Sequence, residues 1–210
     1  MTEAQLREEV CWFGKSMFDR GLTAGSSGNI SARVDDGWIM TPTNACLGRL
    51  DPARLSKVDD EGNPISGDKP TKESFLHLAM YRQRPGAGAV VHLHSTHSVA
   101  VSVLADVDPE QPIPPITAYY VMKIGNLKLL PYYAPGDLAL ANAVREVADR
   151  HHAVLLANHG PVVAGKDLAT AVYATEELEE TARLFLLLRA EKLKLLSAAD
   201  VADLNRRYPT

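Results

Sequence analysis

Val90-Val91-His92-Leu93-His94 is the stretch that most constrains what this chain folds into. Its β-branched and apolar residues predict a buried strand. The two-residue period of a strand then puts His92 and His94 on one face, with Cα atoms about 6–7 Å apart. Two imidazoles converging on one point suit a divalent cation, but an ion of the zinc type takes more than two protein ligands. Glu73 and His159 are the candidates for the remainder. Taken alone, a His-X-His pair fits two hydrogen-bonded core histidines equally well, so other segments must decide between the readings.

A chain of 210 residues, 46% of them hydrophobic, is sized for one domain with one good core. The net charge of −4 and the scattered Lys and Arg leave no basic stripe. Nucleic acid and anionic membrane are therefore not expected as partners, and small-molecule chemistry is. No apolar run is long enough to span a bilayer, and Met1 to Val10 alternates charged with apolar residues, so a cytoplasmic location is expected. Cys11 and Cys46, far from the histidine pair, read as core or half-buried thiols rather than zinc ligands.

Along the chain, Leu6, Val10, Phe13 and Met17 recur at helical spacing before Gly21. Gly25-Ser26-Ser27-Gly28-Asn29-Ile30-Ser31 is a small-residue loop that either exposes backbone N–H groups to an anion or simply turns the chain into a strand at Ile30. Gly37 to Thr41 reads as a strand leading to Thr43 and Asn44, candidate hydroxyl and amide contacts. Asp51 to Gly67 reads as a surface hairpin with its tip at Asp59 to Pro64.

Thr71 is expected to cap a helix carrying Phe75, Leu76, Ala79 and Met80, with Glu73 in its first turn. The dipole alone would favour a carboxylate there; alternatively the free N–H groups and Lys72 hold a phosphate while Glu73 faces a metal. Ser95 to Leu104 reads as a helix in which His97 packs. Thr117 to Met122 and Leu127 to Tyr133 read as strands, Gly136 to Arg150 as a helix, and Ala153 to Ala157 as a buried strand delivering His159 at a Gly-Pro turn. Lys166 to Leu195 reads as one long leucine-rich helix with a face for an oligomer contact, and 197–210 as a short helix with a mobile end.

These motifs, in order, resemble the class II aldolase and adducin-like family: Gly25 to Ser31, Thr41-Pro42-Thr43, Pro70-Thr71-Lys72-Glu73, His92-Leu93-His94-Ser95 and Asn158-His159-Gly160. The resemblance implies a single-domain α/β fold over 1–210, with a central mainly antiparallel or mixed sheet flanked by helices. It also implies a Zn2+ site (Mn2+ or Co2+ being the other candidates) on His92, His94, His159 and Glu73, and a homo-oligomer, a tetramer by resemblance. Glu73 would then double as acid/base, with Tyr120, from the same or a neighbouring subunit, as the other candidate. Ser27, Gly28, Asn29, Thr43, Asn44, Thr71 and Lys72 would meet phosphate and substrate.

Within the family, Asp19 to Thr23, Leu47 to Asp51, His94 to Ser98 and Pro131 to Gly136 look most like the branch that decarboxylates 3-oxo-tetronate 4-phosphates. Where the sugar-phosphate aldolases commonly have a glycine and paired serines, this chain has Asn44 and Thr71-Lys72; the lysine adds a positive charge suited to a doubly anionic phosphorylated sugar acid. A Lewis acid chelated by the substrate's C2 hydroxyl and C3 carbonyl would stabilise the enediolate left as carbon dioxide departs, giving dihydroxyacetone phosphate. A fuculose- or rhamnulose-phosphate aldolase is the alternative, followed by a sugar-phosphate epimerase or dehydratase. An adducin-like scaffold is the non-enzymatic one, which the intact ligand set disfavours.

Overall fold

A computed structural model describes residues 1–134 and 136–208. Thr2 and Gln5 form a capping box that starts α1 (Glu3–Asp19), whose Val10, Phe13 and Met17 are buried. The strands β1 (Asn29–Val34), β2 (Gly37–Met40), β3 (Ser56–Val58) and β4 (Pro64–Ser66) follow, the last two joined by a tip in which the Asp59 carboxylate accepts from the Glu61 and Asn63 amides. Next come α2 (Ser74–Gln83), β5 (Ala89–His92), α3 (Thr96–Ser102), α4 (Ala118–Lys123), β6 (Lys128–Leu130) and α5 (Leu138–Val147). The chain closes with β7 (Ala153–Leu156), β8 (Gly160–Gly165), α6 (Leu168–Leu187) and α7 (Ala198–Arg207). No helix among the described residues is long and apolar enough to cross a membrane.

The strands form one mixed sheet in the order β4-β3-β2-β1-β5-β8-β7-β6. The β6–β7 pair is parallel and the other neighbouring pairs are antiparallel. This is the single-domain α/β architecture that the sequence implied. β5 lies inside the sheet, every residue buried, because both its faces are covered. On one face Val90 joins Leu76, Met80, Leu140, Val144 and Val162. On the other, Ala89 and Val91 join Val10, Phe13, Met17, Ile30 and Leu168. The parity of β5 therefore puts His92 on the α2 face, paired in register with Asn29 of β1 and Val162 of β8.

Several expected elements differ. The run expected as a strand at 117–122 is the helix α4: the Thr117 side chain accepts from the Tyr120 amide as an N-cap, and Tyr120, Val121 and Ile124 bury a helical face against α6 residues such as Leu178 and Phe185. Tyr and Val are strand formers only where a pleated surface receives them. The expected strand at 127–133 is confined to Lys128–Leu130. Thr71 does not cap α2; the helix starts at Ser74, with Glu73 in the N-cap position. α6 stops at Leu187, and the chain turns so that Leu196 packs on the core that α6 forms with α4 around Leu178 and Phe185. Much of the apolar face of α6 is covered within this chain, leaving Tyr173 and Leu187 exposed. Val201 and Leu204 lay α7 onto the same core, and the last two residues of the tail lie outside the described residues.

Candidate metal centre

The Nε2 atoms of His92, His94 and His159 stand 3.1 Å (His92–His94), 3.3 Å (His92–His159) and 3.1 Å (His94–His159) apart. The Glu73 carboxylate closes the fourth side, with Oε2 3.4 Å from His92 Nε2 and Oε1 3.1 Å from His159 Nε2. One ligand atom from each of the four residues falls within 4.8 Å of the others.

Local backbone chemistry sets each of these side chains. His92 ends β5 with its ring fully buried, and its Nδ1–H donates to the Pro161 carbonyl at 2.8 Å. This fixes the tautomer and leaves an Nε2 lone pair facing the other rings. His94 follows two residues later, where the start of α3 is gripped from α6: Glu179 accepts from the His97 and Ser98 amides, the His97 ring and the Ser98 hydroxyl. His97 thus packs against α6 at the start of α3, as the sequence led one to expect.

His159 is delivered by a turn in which Asn158 has φ +57° and Gly160 φ +148°. The Asn158 amide donates to the Ser102 hydroxyl, tying this turn to α3. Glu73 is set by the preceding segment. The Glu73 amide donates to Thr71 Oγ1, the Thr71 amide to the Thr41 carbonyl and the Thr43 amide to the Lys69 carbonyl.

This donor set fits a cation. Metal–imidazole bonds of about 2.0–2.1 Å in a tetrahedral arrangement place neighbouring ligand nitrogens about 3.3 Å apart, close to the separations seen here. Facing lone pairs at such distances repel unless a cation or a proton lies between them. Burial, then the positive character of His92 and His159, pulls the His94 pKa down to about 4 against the pull of Glu73. A neutral ring is the form that ligates. Burial raises the Glu73 pKa, but the adjacent His159 and His92 rings and a hydrogen bond from Asn29 together hold it far below the usual carboxylate range.

Beside the centre opens a cleft of about 560 Å³ lined by Ser27, Gly28, Asn29, Thr43, Asn44, Thr71, Lys72, Glu73, His94 and His159. Among the described residues lining it, Lys72 is the one Lys or Arg. The structure qualifies three of the expected contacts. The Ser27 hydroxyl donates to the Ala24 carbonyl of its own turn, so that loop is fastened by its side chains. The Asn29 amide is engaged at both ends, by Glu73 and His77. Asn44 has φ +57°, a left-handed conformation that Asn tolerates better than most residues, so it keeps the backbone path a glycine would give.

Tyr120 does not reach the cleft. Its buried hydroxyl donates to the Ile113 carbonyl, and burial pushes its pKa up; the helix that replaced the expected strand turned it into the core. Tyr132, Tyr133, Gly136 and Asn158 also line the cleft and were not expected there. The Tyr-Tyr pair carried no spacing signal, and Asn158 was visible only as a neighbour of His159. A larger cavity of about 730 Å³, lined in part by Arg84, Lys123, His152 and Lys166, brings no such ligand set together: the His152 nitrogens face the Ala164 and Ile124 carbonyls.

Residues 8–186 match the family described as Class II Aldolase and Adducin N-terminal domain. The chain is 50% identical over 188 residues to the 3-oxo-tetronate 4-phosphate decarboxylase of Cupriavidus necator, covering 90% of this chain and 87% of that protein. To the enzyme of the same name from Haemophilus influenzae it is 47% identical over 208 residues, covering 99% of each. The crystal structure of YgbL from Klebsiella pneumoniae superposes with a TM-score of 0.95 at 49% identity, covering 97% of this chain and 99% of that one.

Proposed function

The chain belongs to the class II aldolase and adducin family, and we propose that it is a carboxy-lyase converting a 3-oxo-tetronate 4-phosphate to dihydroxyacetone phosphate and carbon dioxide. The observation that carries this is the meeting of Glu73, His92, His94 and His159 at a cleft whose lining includes Lys72. The similarity to named decarboxylases at about half identity over nearly the whole chain supports it. A cation held by the three imidazoles and Glu73, zinc foremost and manganese or cobalt after it, supplies Lewis acidity to an adjacent hydroxyl and carbonyl.

The chain's own residues do the rest. Lys72, exposed beside the Thr71 hydroxyl and Asn44, meets an anionic end of the substrate. Breaking the C1–C2 bond releases carbon dioxide and leaves its electron pair on C2, delocalised into the C3 carbonyl. A proton then added at C2 completes dihydroxyacetone phosphate. Glu73 is an anion at rest, so it serves as a relay, taking a proton from water and passing it to C2. The enzyme is cytoplasmic and works as a homo-oligomer, a tetramer by resemblance, with exposed groups such as Tyr173 and Leu187 available for contacts.

An aldolase would use the same centre and differ in the group leaving C2. A coupled assay for dihydroxyacetone phosphate, run with 3-oxo-tetronate 4-phosphate and separately with fuculose or rhamnulose 1-phosphate, separates them. Rapid release from the acid supports decarboxylation; release from the ketose phosphates alone means aldol cleavage.

A further inference from the structure

Behind Glu73 lies a buried row of side chains that the proposed reaction does not use. Asn29 Nδ2 donates to Glu73 Oε2 at 2.8 Å, and Asn29 Oδ1 lies 2.5 Å from His77 Nε2. His77 Nδ1 lies 2.6 Å from Ser31 Oγ, which lies 2.8 Å from the Tyr81 hydroxyl. Asn29 and Ser31 share a face of β1, and His77 and Tyr81 are one turn apart on α2, so the two periods mesh. His77, Ser31 and Tyr81 are all but inaccessible to solvent.

Chemistry fixes the direction of the row. A carboxylate only accepts, so Asn29 turns its NH2 to Glu73 and its oxygen to His77. His77 Nε2 must then carry the hydrogen, and its Nδ1 lone pair must accept from the Ser31 hydroxyl. Ser31 oxygen in turn accepts from Tyr81. Burial, with the charge of His92, brings the His77 pKa down to about 3, and a neutral ring has the single N–H this arrangement needs. Every donor points toward Glu73. The far end is held by packing, since the Tyr81 ring stacks on Trp38 at 5.2 Å and the Arg33 guanidinium lies 5.1 Å from its centroid.

We propose that His77 is a positioning residue: by holding the Asn29 amide it fixes the rotation of the Glu73 carboxylate, fastening Oε2 to the protein and turning Oε1 to the His159 side of the centre, from which it relays the proton. This rests on the relay role given to Glu73 above.

His77→Phe keeps a ring in the site and removes both nitrogens, while His77→Gln restores an N–H toward Asn29. The Phe variant should lose about 10–100-fold in kcat, as when a metal ligand's partner is removed, with KM for 3-oxo-tetronate 4-phosphate little changed, and the Gln variant should recover most of that loss. A readout independent of turnover is the 15N spectrum of the cation-free protein labelled in histidine, in which His77 should be protonated at Nε2 and not at Nδ1. Wild-type kcat in His77→Phe, or a His77 ring protonated at Nδ1, overturns the proposal. If His77→Phe does not fold, the tautomer decides. If the wild-type protein leaves the acid untouched, the proposed reaction fails, and the tautomer still decides whether this row is set as described.

Discussion

Gly160 lies directly against the carbonyl of Leu93: a Cβ at Gly160 would fall 2.1 Å from that oxygen and 3.2 Å from the Cα of His94. The contact brings the turn carrying His159 onto the end of β5, and it is possible only for a residue without a side chain at φ +148°. Gly160→Ala is expected to cost at least about 1–3 kcal/mol in backbone strain and to push His94 and His159 apart. Thermal unfolding and cation content of the purified variant check this. A variant with wild-type stability and a full complement of cation would show that the close approach is dispensable.

Glu179 holds the other side of His94. Burial raises its pKa, but the His97 and Ser98 amides and the Ser98 hydroxyl outweigh that and keep it below the usual carboxylate value. Its stabilisation is therefore present above the unfolded value of 4.5 and is lost as pH falls through the lower folded value. Glu179→Ala strands the two amides at the start of α3 and is expected to cost about 2–4 kcal/mol, read from urea unfolding at neutral pH. The cost should shrink in acid.

The candidate metal ligands were legible because a strand end, a Gly-Pro turn and a helix start each place a side chain by local rules: His92 at the end of β5 with His94 two residues on, His159 by its turn, Glu73 by the start of α2. What was not legible is decided by tertiary packing. Tyr119-Tyr120-Val121 has strand composition, yet Thr117 caps it into a helix that buries Tyr120 against Leu178 and Phe185. The leucines after Leu187 have helical propensity, but Leu196 is drawn back to the core near Pro115, whose carbonyl its amide meets. The row from Glu73 to Tyr81 joins residues of β1 and α2 that are 44 to 50 positions apart, a pairing no local pattern announces.

Glu73→Gln keeps the hydrogen-bonding shape of the side chain and removes its capacity to relay a proton. Three imidazoles remain, the usual protein ligand count of a catalytic zinc, so fold and cation should be retained while kcat falls about 10²–10⁴-fold. Turnover at the wild-type rate would remove Glu73 from the proton path.

The neutral His77 sets a pH dependence. Between its folded value of about 3 and the unfolded value of 6.5, the unfolded chain binds a proton that the folded chain does not. Stability of the cation-free protein should therefore fall as pH drops from 6.5 toward 3, by up to about 1.4 kcal/mol per unit from this group. His77→Gln removes the titrating ring and should flatten the profile in that window. Unfolding in urea at about pH 7 and about pH 5 measures the difference, and parallel profiles for the two proteins would contradict a neutral buried His77.

Decarboxylation is expected to depend on one cation held by Glu73, His92, His94 and His159. The direct measurement is a titration of Zn2+ into chelator-stripped protein while following release of dihydroxyacetone phosphate from 3-oxo-tetronate 4-phosphate, with His94→Ala in parallel. Activity should rise in proportion to added ion, level off at one equivalent per chain, and stay absent from the variant at that occupancy. Full activity in the stripped protein would take the cation out of the reaction, and a His94→Ala variant that binds and responds to the ion as the wild type does would take His94 out of the site.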